Sequence, residues 1–312
     1  MKGVFANRSA LFQAGVLLYL FLLGFVVGTV ICLGIENAFR FLSDQPTEGT
    51  SFQTLPLSFY RTHLLQLCSG ILTFMLPALI TAYLCSKTPG AFLGFRKVMD
   101  VRVFVLTALM LCFISPIIEI TSFLNAKLSL PEWMAPLENW VRATEDIRNE
   151  VAESLLSQKG VLPFITNLCV IAAFTGVAEE LMFRGALFSI VRKKISNPHV
   201  TIWLIAILFS AIHLQFYGFL PRTLLGAFLG YLLYWSQSIW IPIFAHALNN
   251  AVAVTVSYAQ INNPYINGLD STHENMKSAD WITYFAFSLL SVLLFVVCAR
   301  QMKKTCVTKQ ET

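Results

Sequence analysis

The stretch VLPFITNLCVIAAFTGVAEELMFRGALFSI, residues 161–190, decides how this chain is read. It is apolar over enough length to cross a bilayer core of about 30 Å, which takes about 20 residues. Yet it carries Glu179, Glu180 and Arg184 well inside the run. A charged side chain at the centre of a membrane helix costs roughly 2.5–3.5 kcal/mol on insertion scales, so such groups need a partner or a function. On a helix, Glu180 and Arg184 stand at i, i+4 on one face, where they can pair. Glu179 is turned about 100° away, given about 3.6 residues per turn, and no partner for it is visible on its own helix. Two carboxylates in unlike environments have their acidities pushed apart, a common preparation for acid–base work.

The rest of the chain repeats the apolar theme. Of its 312 residues, 56% are hydrophobic and only 12% charged, and the mean hydropathy is +0.66. That excludes an ordinary soluble enzyme, a disordered chain and a collagen-like fibre. Apolar runs lie at about 10–34, 64–85, 101–123, 161–190, 200–217, 221–236, 239–260 and 281–298. They predict an all-α, polytopic membrane helix bundle of about eight transmembrane helices, forming one membrane domain over 1–312. The first run is long and lacks a small-residue cleavage site, so it reads as a retained helix.

Lys87, Arg96, Lys97, Arg192, Lys193, Lys194, Arg300, Lys303 and Lys304 fall on one side of the alternating runs. This excess places both termini in the cytoplasm by the positive-inside rule. The net charge of +5 is then a feature of topology, and no nucleic-acid partner is expected. The seven cysteines, at irregular spacing and with no C-x-x-C, read as small buried hydrophobes. The acidic loop at 124–160 falls outside. Glu138, Trp140, Val141, Ile147, Val151 and Leu155 give it a helical stripe, consistent with an amphipathic helix lying on the membrane or a short helix packed on the bundle. Gly24-x-x-x-Gly28 and Gly226-x-x-x-Gly230 suit close helix packing.

Two further patterns hold ionisable or amide groups in apolar surroundings. One is Phe209-Ser210-Ala211-Ile212-His213; the other is His246-Ala247-Leu248-Asn249-Asn250, in which His246 and Asn250 share a helix face. Each alone is compatible with polar contacts between helices. Together, at 1.5 Å per residue, Glu179, His213 and His246 fall at similar depths of roughly 10–20 Å from the cytoplasmic helix ends, so they can converge. A carboxylate and an imidazole sharing a water form a general base, and a His/Asn pair can stabilise an oxyanion. Those parts suffice for peptide hydrolysis. The chain contains neither H-E-x-x-H nor G-x-S-x-G.

E-E-x-x-x-R, F-x-x-x-H and H-x-x-x-N in this order resemble the CPBP (ABI) family of CAAX proteases and bacteriocin-processing enzymes, which includes the type II CAAX prenyl endopeptidases. The resemblance covers about residues 160–260. It implies an intramembrane endopeptidase with a cytosol-facing cavity and a peptide or membrane-protein substrate, while the positive-inside pattern and the absence of organelle signals suit the inner (cell) membrane of a bacterium. It implies Glu179 as general base, His213 as a holder of the water, His246 and Asn250 as the oxyanion hole, and Glu180 with Arg184 as orienting groups. The family is often labelled metalloprotease. His213, His246 and Glu179 would make a His₂Glu zinc set, whereas Asn250 beside His246 suits an oxyanion hole and a glutamate-activated water without zinc. Two other classes compete: a proton-coupled transporter, to which Glu119 near Pro116 would contribute, and a non-catalytic scaffold or immunity protein.

Overall fold

The computed structural model describes residues 2–43, 57–97, 100–262 and 278–308. No strand occurs among the described residues. The main helices are α1 (Ala10–Ser43), α2 (57–85), α3 (Val101–Ala126), α4 (Ala135–Leu156), α5 (Val161–Val191), α6 (Pro198–Ala211), α7 (Phe219–Ser236), α8 (Trp240–Asn262) and α9 (Ser278–Thr308). Five stretches within α1, α2, α3, α5 and α9 are long and apolar enough to cross a membrane. The expectation of about eight counted α6, α7 and α8 as well. Of these α6 has only 14 residues, about 21 Å at 1.5 Å per residue. The protein is an all-helical, multi-pass membrane protein.

Local sequence explains where the helices start and how closely they approach. Asn197 caps α6 by accepting from His199 N at 2.9 Å, and Pro198 fills the first turn, where no N–H partner is needed. Asp100 caps α3 by accepting from Arg102 N at 2.9 Å. α1 packs on α2, α3 on α9, α5 on α8, and α6 on α7. At Gly24 a methyl group would sit 1.9 Å from the Leu72 carbonyl oxygen, so only glycine admits this approach of α1 to α2. One core joins Ala78, Leu181, Phe183, Ala186, Ile205 and Phe209. A second joins Met110, Leu229, Leu232, Ile241, Ala245 and Met302. Large apolar side chains on α1 and α9, among them Phe25, Val30, Leu289 and Val297, face outward, as surfaces bathed in lipid tails do.

Two features of the framework set up the site. First, α5 widens into π-helical turns at Leu168–Phe174 and Leu181–Leu187, on either side of Thr175–Glu180. Such turns are frequent at functional positions, although another lies at Ile71–Met75 in α2. Second, α6 stops at Ala211, and the chain turns through 212–218 with Leu214 in the left-handed region at φ 52°. His213 was expected on the helix itself. It lies instead in this turn, just past the last helical residue.

Candidate active site

Glu180 and Arg184 are fully buried on α5. The expected i, i+4 pair forms, with Arg184 Nη1 donating to Glu180 Oε1 at 2.7 Å. Arg184 Nη2 donates to the Gly226 carbonyl of α7 at 2.8 Å, and the guanidinium stands over the Phe209 ring at 4.7 Å. One arginine therefore ties α5 to α6 and α7. Its bidentate reach and flat, ring-stacking cation are properties a lysine lacks.

His246, buried on α8, completes the arrangement. Its Nδ1 lies 2.8 Å from Glu180 Oε1, and its Nε2 lies 3.7 Å from Glu179 Oε2. With Glu180 ionised, Nδ1 is the donor, which fixes the ring and turns Nε2 toward Glu179. Glu179 has a side-chain exposure of 13%, against 0% for Glu180. The neighbouring carboxylates thus differ as the helical geometry required, one locked between two cations or donors and one open. Glu180 Oε2 and Arg184 Nε are buried without a hydrogen-bond partner among the described residues, which marks this as a polar cluster with unused capacity.

His213 and His246 both lie against Phe209, with ring centroids 5.1 and 6.0 Å away. His213 Nδ1 is 2.8 Å from the Phe209 carbonyl oxygen, which leaves Nε2 as the nitrogen for other partners. Asn250 faces α5, where its Nδ2 donates to the Ile171 carbonyl at 3.2 Å. Asn249 donates to Asn250 Oδ1 at 3.3 Å. The Asn250 carbonyl and one amide proton are therefore engaged, and one amide proton remains. All the expected residues fall on α5, α8 or the α6 end.

Among the described residues no three His, Cys, Asp or Glu side chains form a group able to hold a metal ion.

Three residues outside the motifs also reach the site. Arg222, on the first turn of α7, donates to Gln215 Oε1 at 2.6 Å, and its charge acts on both Glu179 and His213. A lone arginine at the start of an apolar run is the signal that could have singled it out. Arg148 of α4 donates to the His213 carbonyl oxygen. Glu145 of α4 accepts from Phe216 N at 2.5 Å and Tyr217 N at 3.1 Å. Glu119 accepts from Tyr284 of α9 at 2.7 Å.

Comparison with known proteins adds to the geometry. Residues 161–252 match the family model described as type II CAAX prenyl endopeptidase Rce1-like. Two relatives come from Bacillus subtilis (strain 168). The uncharacterized protein YpbD is 29% identical over 98 residues, which is 30% of this chain and 46% of YpbD. The putative membrane peptidase YdiL is 24% identical over 104 residues, 33% of this chain and 42% of YdiL. The chain spans less than half the length of either relative. No solved structure matches. Both by the order of their three motifs and as a whole segment, residues 161–252 are similar to the Rce1-like type II CAAX prenyl endopeptidases.

Proposed function

We propose that the protein is an intramembrane endopeptidase in which Glu179 activates a water for attack on a peptide carbonyl. The observation that carries this reading is the approach of His246 Nε2 to Glu179 Oε2 at 3.7 Å, with Nδ1 anchored on the buried Glu180. The two atoms are too close for a water between them, but a water lying beside the pair can hydrogen-bond to both. Glu179 takes a proton from the water as its oxygen bonds to the carbonyl carbon. The oxyanion is met by Nε2–H of a His246 ring protonated at both nitrogens, Nδ1–H being held by Glu180, and by the remaining Asn250 amide proton. The C–N bond then breaks, Glu179 returns the proton to the leaving nitrogen, and a carboxylic acid and an amine result. His213, packed against the same Phe209 ring as His246, helps hold the water. Glu180 and Arg184 are positioning residues, since they act through His246 and the helix packing.

The substrate on this reading is a peptide or a membrane-protein segment, met in the cell membrane with both termini of the protease in the cytoplasm. The B. subtilis relative described as a putative membrane peptidase supports the same class. Fluorogenic peptides carrying an apolar anchor, incubated with purified protein in detergent, test the reading. Wild type cleaves at least one, as read by mass spectrometry of both product ends. His246→Ala and His213→Ala lose most of that cleavage. Intact peptides with wild type, or equal cleavage by all three proteins, overturn it.

A further inference from the structure

The acidic segment between α3 and α5 is not a detached loop. α4 joins the end of one membrane-crossing helix to the start of another, so it lies at the membrane boundary. It has three faces. Trp133, Leu137, Trp140, Ile147 and Val151 recur at helical spacing and are exposed, Trp140 by 61% and Ile147 by 63%. About a quarter turn away, Glu145 and Arg148 meet the turn that follows α6. The third face holds Asp146, Glu150 and Glu153, all exposed.

Contacts to the turn are made at its backbone, so they fix its path. Glu145 Oε1 receives the N–H groups of Phe216 and Tyr217, and Arg148 holds the carbonyl of His213 itself. Glu138, two helical turns further toward the start of α4, accepts from the Tyr217 hydroxyl at 3.0 Å. From α3, Asn125 donates to the Phe216 carbonyl at 2.8 Å. Helix-type backbone bonds run only as far as Leu214, whose N–H reaches Ala211 O at 3.1 Å; beyond this left-handed residue the N–H groups of Phe216 and Tyr217 turn to Glu145 instead. These side chains supply the definition.

The exposed stripe has one occupant that fits. Tryptophan at the apolar–polar boundary, with carboxylates on the far side, is the pattern of a helix seated in the lipid interface. The outward carboxylates disfavour an anionic headgroup layer, so the seat is a zwitterionic one, held by apolar insertion. We propose that α4 is a membrane-seated positioning element, whose Leu137–Trp140–Ile147–Val151 stripe beds in lipid while Glu145 and Arg148 fix the turn bearing His213. This rests on the hydrolytic reading only for its effect on rate. Glu145 and Arg148 are then positioning residues, and displacement of α4 from lipid misplaces His213.

The test uses full-length protein in phosphatidylcholine nanodiscs, with a keto-amino-acid spin label at one position at a time. A label at Ile147 collides more with oxygen than with a nickel chelate, and a label at Asp146 does the reverse. Glu145→Ala frees a label at Leu214, whereas Glu145→Gln, which keeps an accepting oxygen for both N–H groups, restrains it. On a cleavable peptide, Glu145→Ala lowers kcat about tenfold to hundredfold with KM little changed, and Glu145→Gln restores it. Equal nickel access at 146 and 147, or an unchanged label at 214 in Glu145→Ala, overturns the proposal. The label readings decide it even in a protein that hydrolyses nothing, so its failure is distinct from failure of the protease reading.

Discussion

Glu180 and His246, 66 residues apart in the chain, meet at 2.8 Å inside the bundle. The same carboxylate oxygen holds Arg184 at 2.7 Å. A single buried anion thus links α5 to α8 and, through Arg184, to α7. Its geometry determines where the second nitrogen of His246 points.

Breaking this cluster at the arginine should cost stability as well as function. Arg184→Met leaves Glu180 short of a counter-charge and the Gly226 carbonyl without its donor. Removing one partner of a buried pair typically costs about 3–5 kcal/mol. Denaturant unfolding in detergent should show a loss of that size, with a smaller one for Arg184→Lys. An unchanged midpoint for Arg184→Met contradicts the linkage.

The two glycines of the Gly24-x-x-x-Gly28 pattern should respond unequally. A methyl group at Gly24 meets the Leu72 carbonyl oxygen at 1.9 Å, while at Gly28 the nearest atom is Leu72 Cβ at 3.6 Å. Gly24→Ala should destabilise by about 1–3 kcal/mol, and Gly28→Ala should stay within about 0.5 kcal/mol of wild type. Thermal unfolding of the pair measures the contrast. Equal effects would mean that α1 and α2 are not in close contact at Gly24.

Acid should loosen the contact between α4 and the His213 turn. The Arg142 hydrogen bond, followed by those from the Tyr217 hydroxyl and Leu130 N, holds the Glu138 carboxyl below the ordinary carboxylate range. A depressed folded value means that its contribution is complete above the unfolded value, about 4.3, and is lost as pH falls through the lowered one. A spin label at Leu214 should therefore be equally restrained from about pH 8 to about pH 5, and gain mobility below the carboxylate range. Loosening already at neutral pH contradicts this assignment.

Donor geometry also bears on zinc. Among the described residues, Glu179, His213 and His246 do not gather into a metal-holding group. Cleavage should survive exhaustive chelation, with metal content checked on the same active sample. Loss of cleavage on chelation, restored by zinc, contradicts it.

Much of this was legible before any coordinates. Helical spacing alone anticipated the Glu180–Arg184 pair and set Glu179 apart, because i, i+4 geometry is local. The same spacing put His246 and Asn250 on one face, and the structure turns Asn250 toward α5. What spacing could not anticipate is non-local. Arg148 reaches His213 across 65 residues and Tyr284 reaches Glu119 across 165, and no periodicity encodes such pairs. His213 was read as helical because its run stays apolar to Tyr217, yet backbone contacts from α4 and α3 stabilise a turn there instead. The π-helical widening of α5 left no mark in composition, since its residues are as apolar as the α-helical ones beside them.

The central claim is that Glu179 activates the hydrolytic water, and Glu179→Gln tests it most directly. Glutamine keeps the size and removes the base, and its amide oxygen can still face His246 Nε2, which lies 3.7 Å from Glu179 Oε2. The account predicts that cleavage of an anchored peptide falls about 10²–10⁴-fold, the usual contribution of a general base, with the unfolding midpoint unchanged. Cleavage at the wild-type rate by Glu179→Gln contradicts it.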